Sequence, residues 1–121
     1  MPQPWYDWVT WNPKTRICVN INTDHGEVTN FVVAYEYKLR GEWRIVAQFD
    51  HDPSSAYGHD VEKEGLHMDL YKGGQKYRVV RSTFPHVPVN RAPRYCIDYI
   101  RNNHGALIDR FEQWHNVNRR P

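Results

Sequence analysis

Cysteine is scarce in this 121-residue chain: Cys18 and Cys96 are the two it has, far apart and without metal-type spacing. That argues against a disulfide framework or a cysteine zinc site, and it fits a reducing compartment. No apolar run approaches the roughly 18–20 residues of a membrane span. The opening residues carry neither a cationic segment nor an aliphatic run, so no secretory leader is expected. Internal repeats and low-complexity tracts are missing too. Charge of one sign is also in short supply: 16 Lys and Arg face 14 Asp and Glu, for a formal net charge of +2. The chain as a whole is no polycation. The expectation is a soluble, cytoplasmic protein with no membrane partner.

What is present points to one folded domain. The length suffices for a single core without staples, and five Trp with eight Tyr exclude wholesale disorder. Basic residues gather late, from Lys72 to Arg120. A positive face there suits an acidic partner such as nucleic acid, with a plainly solvated surface as the alternative.

Hydrophobic periodicity gives the fold. Over residues 27–39, Phe31, Val33, Tyr35, Tyr37 and Leu39 share one face of a strand, with Glu36 and Lys38 on the other. Arg40 and Gly41 make a tight turn, and residues 42–49 return with Trp43, Ile45, Ala47 and Phe49 inward and Arg44, Val46 and Gln48 outward. Upstream, residues 15–22 alternate Ile17, Val19 and Ile21 against polar neighbours. Downstream, residues 66–71 and 75–80 flank Gly73 and Gly74. From 93 to 115 the period changes to 3.6, with Cys96, Ile100, Leu107, Phe111 and Trp114 on one stripe. Asn90 is the expected N-cap, Pro93 suits the first turn, and Gly105 marks a point of weakness. The fold class is therefore α+β: a five-stranded antiparallel meander with one long C-terminal helix on its apolar face. Residues 1–13 form an aromatic N-terminal segment and residues 51–64 a long loop. Trp5, Trp8 and Trp11 within the first of these either stack nucleobases or pack against the sheet.

Chemistry concentrates between residues 50 and 69. His51, His59 and His67 stand there beside Asp50, Asp52, Asp60 and Asp69, three of the seven histidines in about a sixth of the chain. Imidazoles titrate near neutrality, and among carboxylates they suit proton transfer or metal ligation. Strand alternation projects His67, Asp69 and Tyr71 together, opposite Leu66, Met68 and Leu70. Three readings stay open. The three histidines with an aspartate form a metal set; the aspartates cap turns; or the histidines act as acid and base. The last suits metal-free RNA cleavage, with His67 and His59 as base and acid and Asp50 or Asp69 orienting them. Tyr71 or Tyr57 would assist, and Arg44, Arg78 or Arg81 would clamp phosphate. His86, His104 and His115 read as loop or helix-surface residues.

The runs VVAYEY..RGEWRIVAQFDHD and GHD...EGLHMDLY, followed by a helix, resemble a group of small bacterial and archaeal proteins without established activity. More distantly, the chain is similar to the TumE-like toxins of toxin–antitoxin pairs. The likeness covers about residues 28–115, and its specific part is Phe49, Asp50, His59, His67 and Asp69. It implies ribonuclease activity, with RNA and a cognate antitoxin protein as partners. The leading expectation is thus a cofactor-free, metal-independent endoribonuclease using His67, His59, Asp50, Asp69 and Tyr71, with Arg44, Arg78 and Arg81 on substrate. The alternatives are a protein-interaction module, including a homodimer, and a His/Asp metal-binding domain.

Overall fold

A computed structural model describes residues 13–53, 60–80 and 84–117. Five strands, β1 (Thr15–Asp24), β2 (Glu27–Leu39), β3 (Glu42–His51), β4 (Met68–Lys72) and β5 (Gln75–Val80), form one sheet in the order of the chain. Every neighbouring pair is antiparallel. Three of the connections are two-residue turns, and both central residues take positive φ: His25 and Gly26, Arg40 and Gly41, Gly73 and Gly74. That is the turn whose twist matches a hairpin, and it is why glycine follows in each. The expected meander and its closing helix are what the chain forms.

The helix α2 (Ala92–Trp114) lies across β1, β2 and β3. It buries Cys96, Ile97, Ile100, Leu107 and Phe111 against Ile17, Val19, Phe31, Val33, Tyr35, Tyr37, Ala47 and Phe49. Phe84, ahead of the helix, meets Phe49 and Tyr99 edge to face at 5.3 and 5.0 Å. The Tyr37 hydroxyl donates to the Glu112 carboxylate at 2.5 Å, and both residues are buried. At the far end His115 stacks on Phe111, and its Nε2 accepts from the Gly73 amide at 2.9 Å. The β4–β5 turn is thereby tied to the helix terminus.

Three local expectations need correction. Asn90 is not the N-cap: Arg91 takes that place without a side-chain bond. The Asn90 amide instead accepts from the Val28 backbone at 2.8 Å and donates to Glu27, fastening the start of β2. Gly105 does not interrupt α2, which runs through it. The inward face of β3 also changes partway along. Tyr35 pairs with Ala47 but Glu36 with Ile45, leaving Val46 as the extra residue of a β-bulge. Val46 is consequently buried, and Trp43 and Ile45 fall on the face away from α2.

Candidate functional site

The face of the sheet away from α2 carries the titratable groups. On β4, Met68 and Leu70 enter the core with Leu66 before them. Side chains alternate along a strand, so His67, Asp69 and Tyr71 project to the other side. On β3 the same rule sends Phe49 inward and Asp50 outward, and Gln48 pairs directly with Asp69. Asp50, His67 and Asp69 converge there: one ligand atom from each lies within 4.8 Å of the others. Asp69 is 1% exposed and His67 2%, while Asp50 is half-buried.

Lys76 of β5 completes the surroundings, with Nζ 3.2 Å from Asp69 Oδ2. Burial works against its ammonium. The hydrogen bond and charge of Asp69 outweigh that, with Tyr71 and Asp50 adding to them, so its pKa is raised. Tyr71, half-buried beside them, has its phenol pushed up first by burial, then by the charges of Asp69 and Asp50, with Lys76 opposing. The other oxygen of Asp69, Oδ1, is buried and has no hydrogen-bond partner among the described residues. A buried carboxylate oxygen left in that state is costly, and such an atom often marks a place for an ion.

The remaining expected residues separate from this cluster. His51 ends β3 on the helix side, where its ring stacks on Phe31 at 5.9 Å. Its Nδ1 accepts from the Val61 amide at 3.0 Å, at the start of the short helix α1 (Val61–Glu64). That removes it from any shared metal set. Asp60 caps this turn: its side chain accepts from the Glu62 amide at 3.0 Å, while Glu64 accepts from the Asp60 amide at 2.9 Å. Arg44 pairs in register with Tyr37, and Arg78 with Leu70. Paired residues share a face, so both arginines are on the helix side, away from His67. Two bulges, at Val46 and Tyr77, cause this. His59, Tyr57, Arg81, Trp5, Trp8 and Trp11 lie outside the described residues. His86 is exposed, and His104 Nδ1 meets the Arg101 carbonyl at 2.8 Å.

Lys76 was legible but missed. Counting back from the Gly73–Gly74 turn sets it opposite Tyr71, diagonal to Asp69. A second polar group on the same face has a structural explanation. Arg16 binds Glu36 at 2.6 Å and lies over Trp43 at 3.9 Å, while the Cys18 thiol donates to Glu36 at 3.3 Å. Burial and then Glu36 push this thiol up to about 12, which makes it a poor nucleophile. The two cysteines are free and lie on opposite sides of the sheet.

Fold and site define an α+β domain, a meander sheet backed by one helix with a His/Asp cluster on its open face. The chain belongs to the family described as a domain of unknown function, DUF7718, which matches residues 3–117. No curated protein and no solved structure matches it. Membership therefore brings an uncharacterised family and no activity; the likeness to TumE-like toxins rests on the quoted residues alone. Among the described residues no helix is long and apolar enough to cross a membrane.

Proposed function

We propose that this domain binds a divalent transition-metal ion through Asp50, His67 and Asp69. The observation that carries the reading is the convergence of one imidazole and two carboxylates within 4.8 Å, with one buried Asp69 oxygen still lacking a hydrogen bond among the described residues. An N/O donor set of this kind suits Zn²⁺ or Mn²⁺ better than Ca²⁺, which takes oxygen ligands. A metal bonded at about 2.0–2.2 Å holds its donors some 3–4 Å apart, so the set would tighten around it on binding. Such an ion supplies Lewis-acid chemistry, with Lys76 and Tyr71 placed beside it.

Metal-free ribonuclease chemistry is less well supported by the same geometry. Its base, His67, is almost fully buried, and Arg44 and Arg78 belong to the opposite face. The RNA pool is nevertheless the right substrate for a control. Cleavage that survives a chelator and vanishes in His67→Ala would favour acid/base chemistry over the metal.

Calorimetric titration with Zn²⁺ and Mn²⁺, beside thermal unfolding, tests the proposal. One equivalent of ion should bind. Free ion at a hundred times Kd stabilises a folded state by about 2.7 kcal/mol, and Asp69→Asn and His67→Ala should each lose that response. Equal stoichiometry and affinity in both variants would remove these residues from the site.

A further inference from the structure

A second surface lies on the other side of the sheet, where the β4–β5 hairpin meets the last turn of α2. The bulge on β5 turns Tyr77 toward the helix, and its ring stands edge to face on Trp114 at 4.9 Å between centroids. Tyr77 is nonetheless 53% exposed, a large aromatic packed on one neighbour with much of its surface in solvent. Three cations surround this pair. Lys72 Nζ is 5.1 Å from the Tyr77 ring and 5.7 Å from Trp114. The Arg78 guanidinium lies 5.9 Å from Tyr77, and that of Arg110 5.9 Å from Trp114. Among the described residues, none of the three is ion-paired with a carboxylate.

Aromatic rings fixed by packing and flanked by cations without carboxylate partners form a recognised pattern for single-stranded nucleic acid. The ring stacks a base of any identity, and the cations meet the phosphates on either side. A duplex hides its base faces and satisfies only the cations. An acidic protein segment likewise uses the cations and leaves the Tyr77 face idle. The described surface offers both features together, and its charge is complementary to a phosphate backbone. We propose that Tyr77, Trp114, Lys72, Arg78 and Arg110 form a docking surface for single-stranded nucleic acid. It stands apart from the Asp50–His67–Asp69 cluster, on the opposite face, and holds whether or not that cluster takes a metal.

The test is fluorescence anisotropy of the full chain with a labelled single-stranded oligouridylate of about twelve nucleotides, at low and moderate salt. The strand should bind, and its affinity should fall steeply as salt rises. Tyr77→Ala should weaken it by about five- to a hundredfold, the range for loss of one stacked base. Tyr77→Phe should bind like the parent chain, since the ring is kept. Joint Lys72→Gln and Arg78→Gln replacement should weaken binding and flatten the salt dependence, whereas Lys63→Gln, on the exposed turn of α1, should change neither. Thermal unfolding of each variant separates loss of the surface from loss of the fold. Three results would overturn the assignment: no binding at low salt, binding by folded Tyr77→Ala equal to the parent, or tighter binding of the matching duplex. Displacement of the strand by polyglutamate at equal charge would do the same, marking a general acid-binding face.

Discussion

On the helix side of the sheet, Ile17, Val19, Phe31, Val33, Tyr35 and Phe49 lock against Cys96, Ile100 and Phe111. On the other side, the sheet presents Arg16, Cys18, Glu36, Gln48, Asp50, Asp69 and Lys76. Both sides contain buried atoms, but burial does different things on each. Apolar burial between sheet and helix stabilises the fold at roughly 25 cal/mol per Å². Burial of Asp69 and His67 contributes nothing of that kind and costs desolvation, which only partners or an ion can offset. One face holds the domain together, and the other holds ionisable groups in place at some expense. The comparison predicts that the cluster is dispensable for folding in a way the helix face is not.

The strongest test of that contrast sets Phe49→Ala against Asp69→Asn. Phe49 is fully buried and meets both Phe84 and Tyr99. Its truncation should cost about 3–5 kcal/mol in urea unfolding, the range for a large aromatic leaving a cavity. Asp69→Asn keeps the shape and loses one ion pair, whose lysine side chain is 47% exposed. The carboxylate is 1% exposed, so the attraction lost is offset by the desolvation cost that the neutral amide no longer carries, and the unfolding curve should nearly overlay the parent. If Asp69→Asn proved as damaging as Phe49→Ala, the cluster would be part of the structural core and the division between faces would fail.

Tyr37 and Glu112 sharpen the same comparison from within the helix face, where they form a polar contact in apolar surroundings. Tyr37→Phe keeps the ring on Phe111, 5.1 Å away between centroids, and removes the donor to a buried carboxylate. Hydrogen bonds to charged groups are worth about 1.5–3 kcal/mol, and a loss of that size is expected. Partial recovery in the double variant with Glu112→Gln would show that the penalty comes from the carboxylate left behind. A change below about 0.5 kcal/mol in Tyr37→Phe would mean that other contacts already satisfy Glu112.

Much of this arrangement can be read from the residues because alternation is a strong signal where one face is apolar throughout. Phe31, Val33, Tyr35 and Tyr37 declare β2 without help, and each glycine-bearing turn fixes the register beside it. The parity argument at Leu66–Leu70 also puts His67 and Asp69 on one side. What alternation does not reveal is a bulge. One extra residue at Val46 and another at Tyr77 reverse the faces of Arg44 and Arg78, so a clamp drawn around His67 loses two of its arginines. His51 escapes for a different reason. A histidine among aspartates reads as chemistry, but its neighbour in space is Phe31, and the Val61 amide waits for its Nδ1. Gly105 shows a propensity overridden by context: α2 is held by its packed stripe, and the glycine faces outward. A methyl group added there meets no atom within 4 Å, so Gly105→Ala should stabilise the domain by about 0.5–1 kcal/mol in thermal or urea unfolding. A loss of stability instead would show that the helix depends on that residue's freedom.

A last comparison separates the two faces by pH. Cys18, on the polar face, holds its proton up to about 12 in the folded chain against an ordinary 9.0, through burial and then Glu36. Tyr35, on the helix face, is raised to about 12 from 10.0, chiefly by burial. In both cases the unfolded chain releases its proton first. Between the two values the unfolded state binds fewer protons, so stability falls as pH rises. The contribution of Cys18 is complete below about pH 9 and erodes toward 12; that of Tyr35 begins about one unit later. Urea midpoints measured from pH 8 to 11 should therefore decline. Cys18→Ser, which keeps a donor for Glu36 but no titrating thiol, should flatten the early part of the decline, and Tyr35→Phe only the late part. If Cys18→Ser runs parallel to the parent throughout, the thiol is ionising in the folded protein, and the polar face is wetter around Glu36 than its contacts imply.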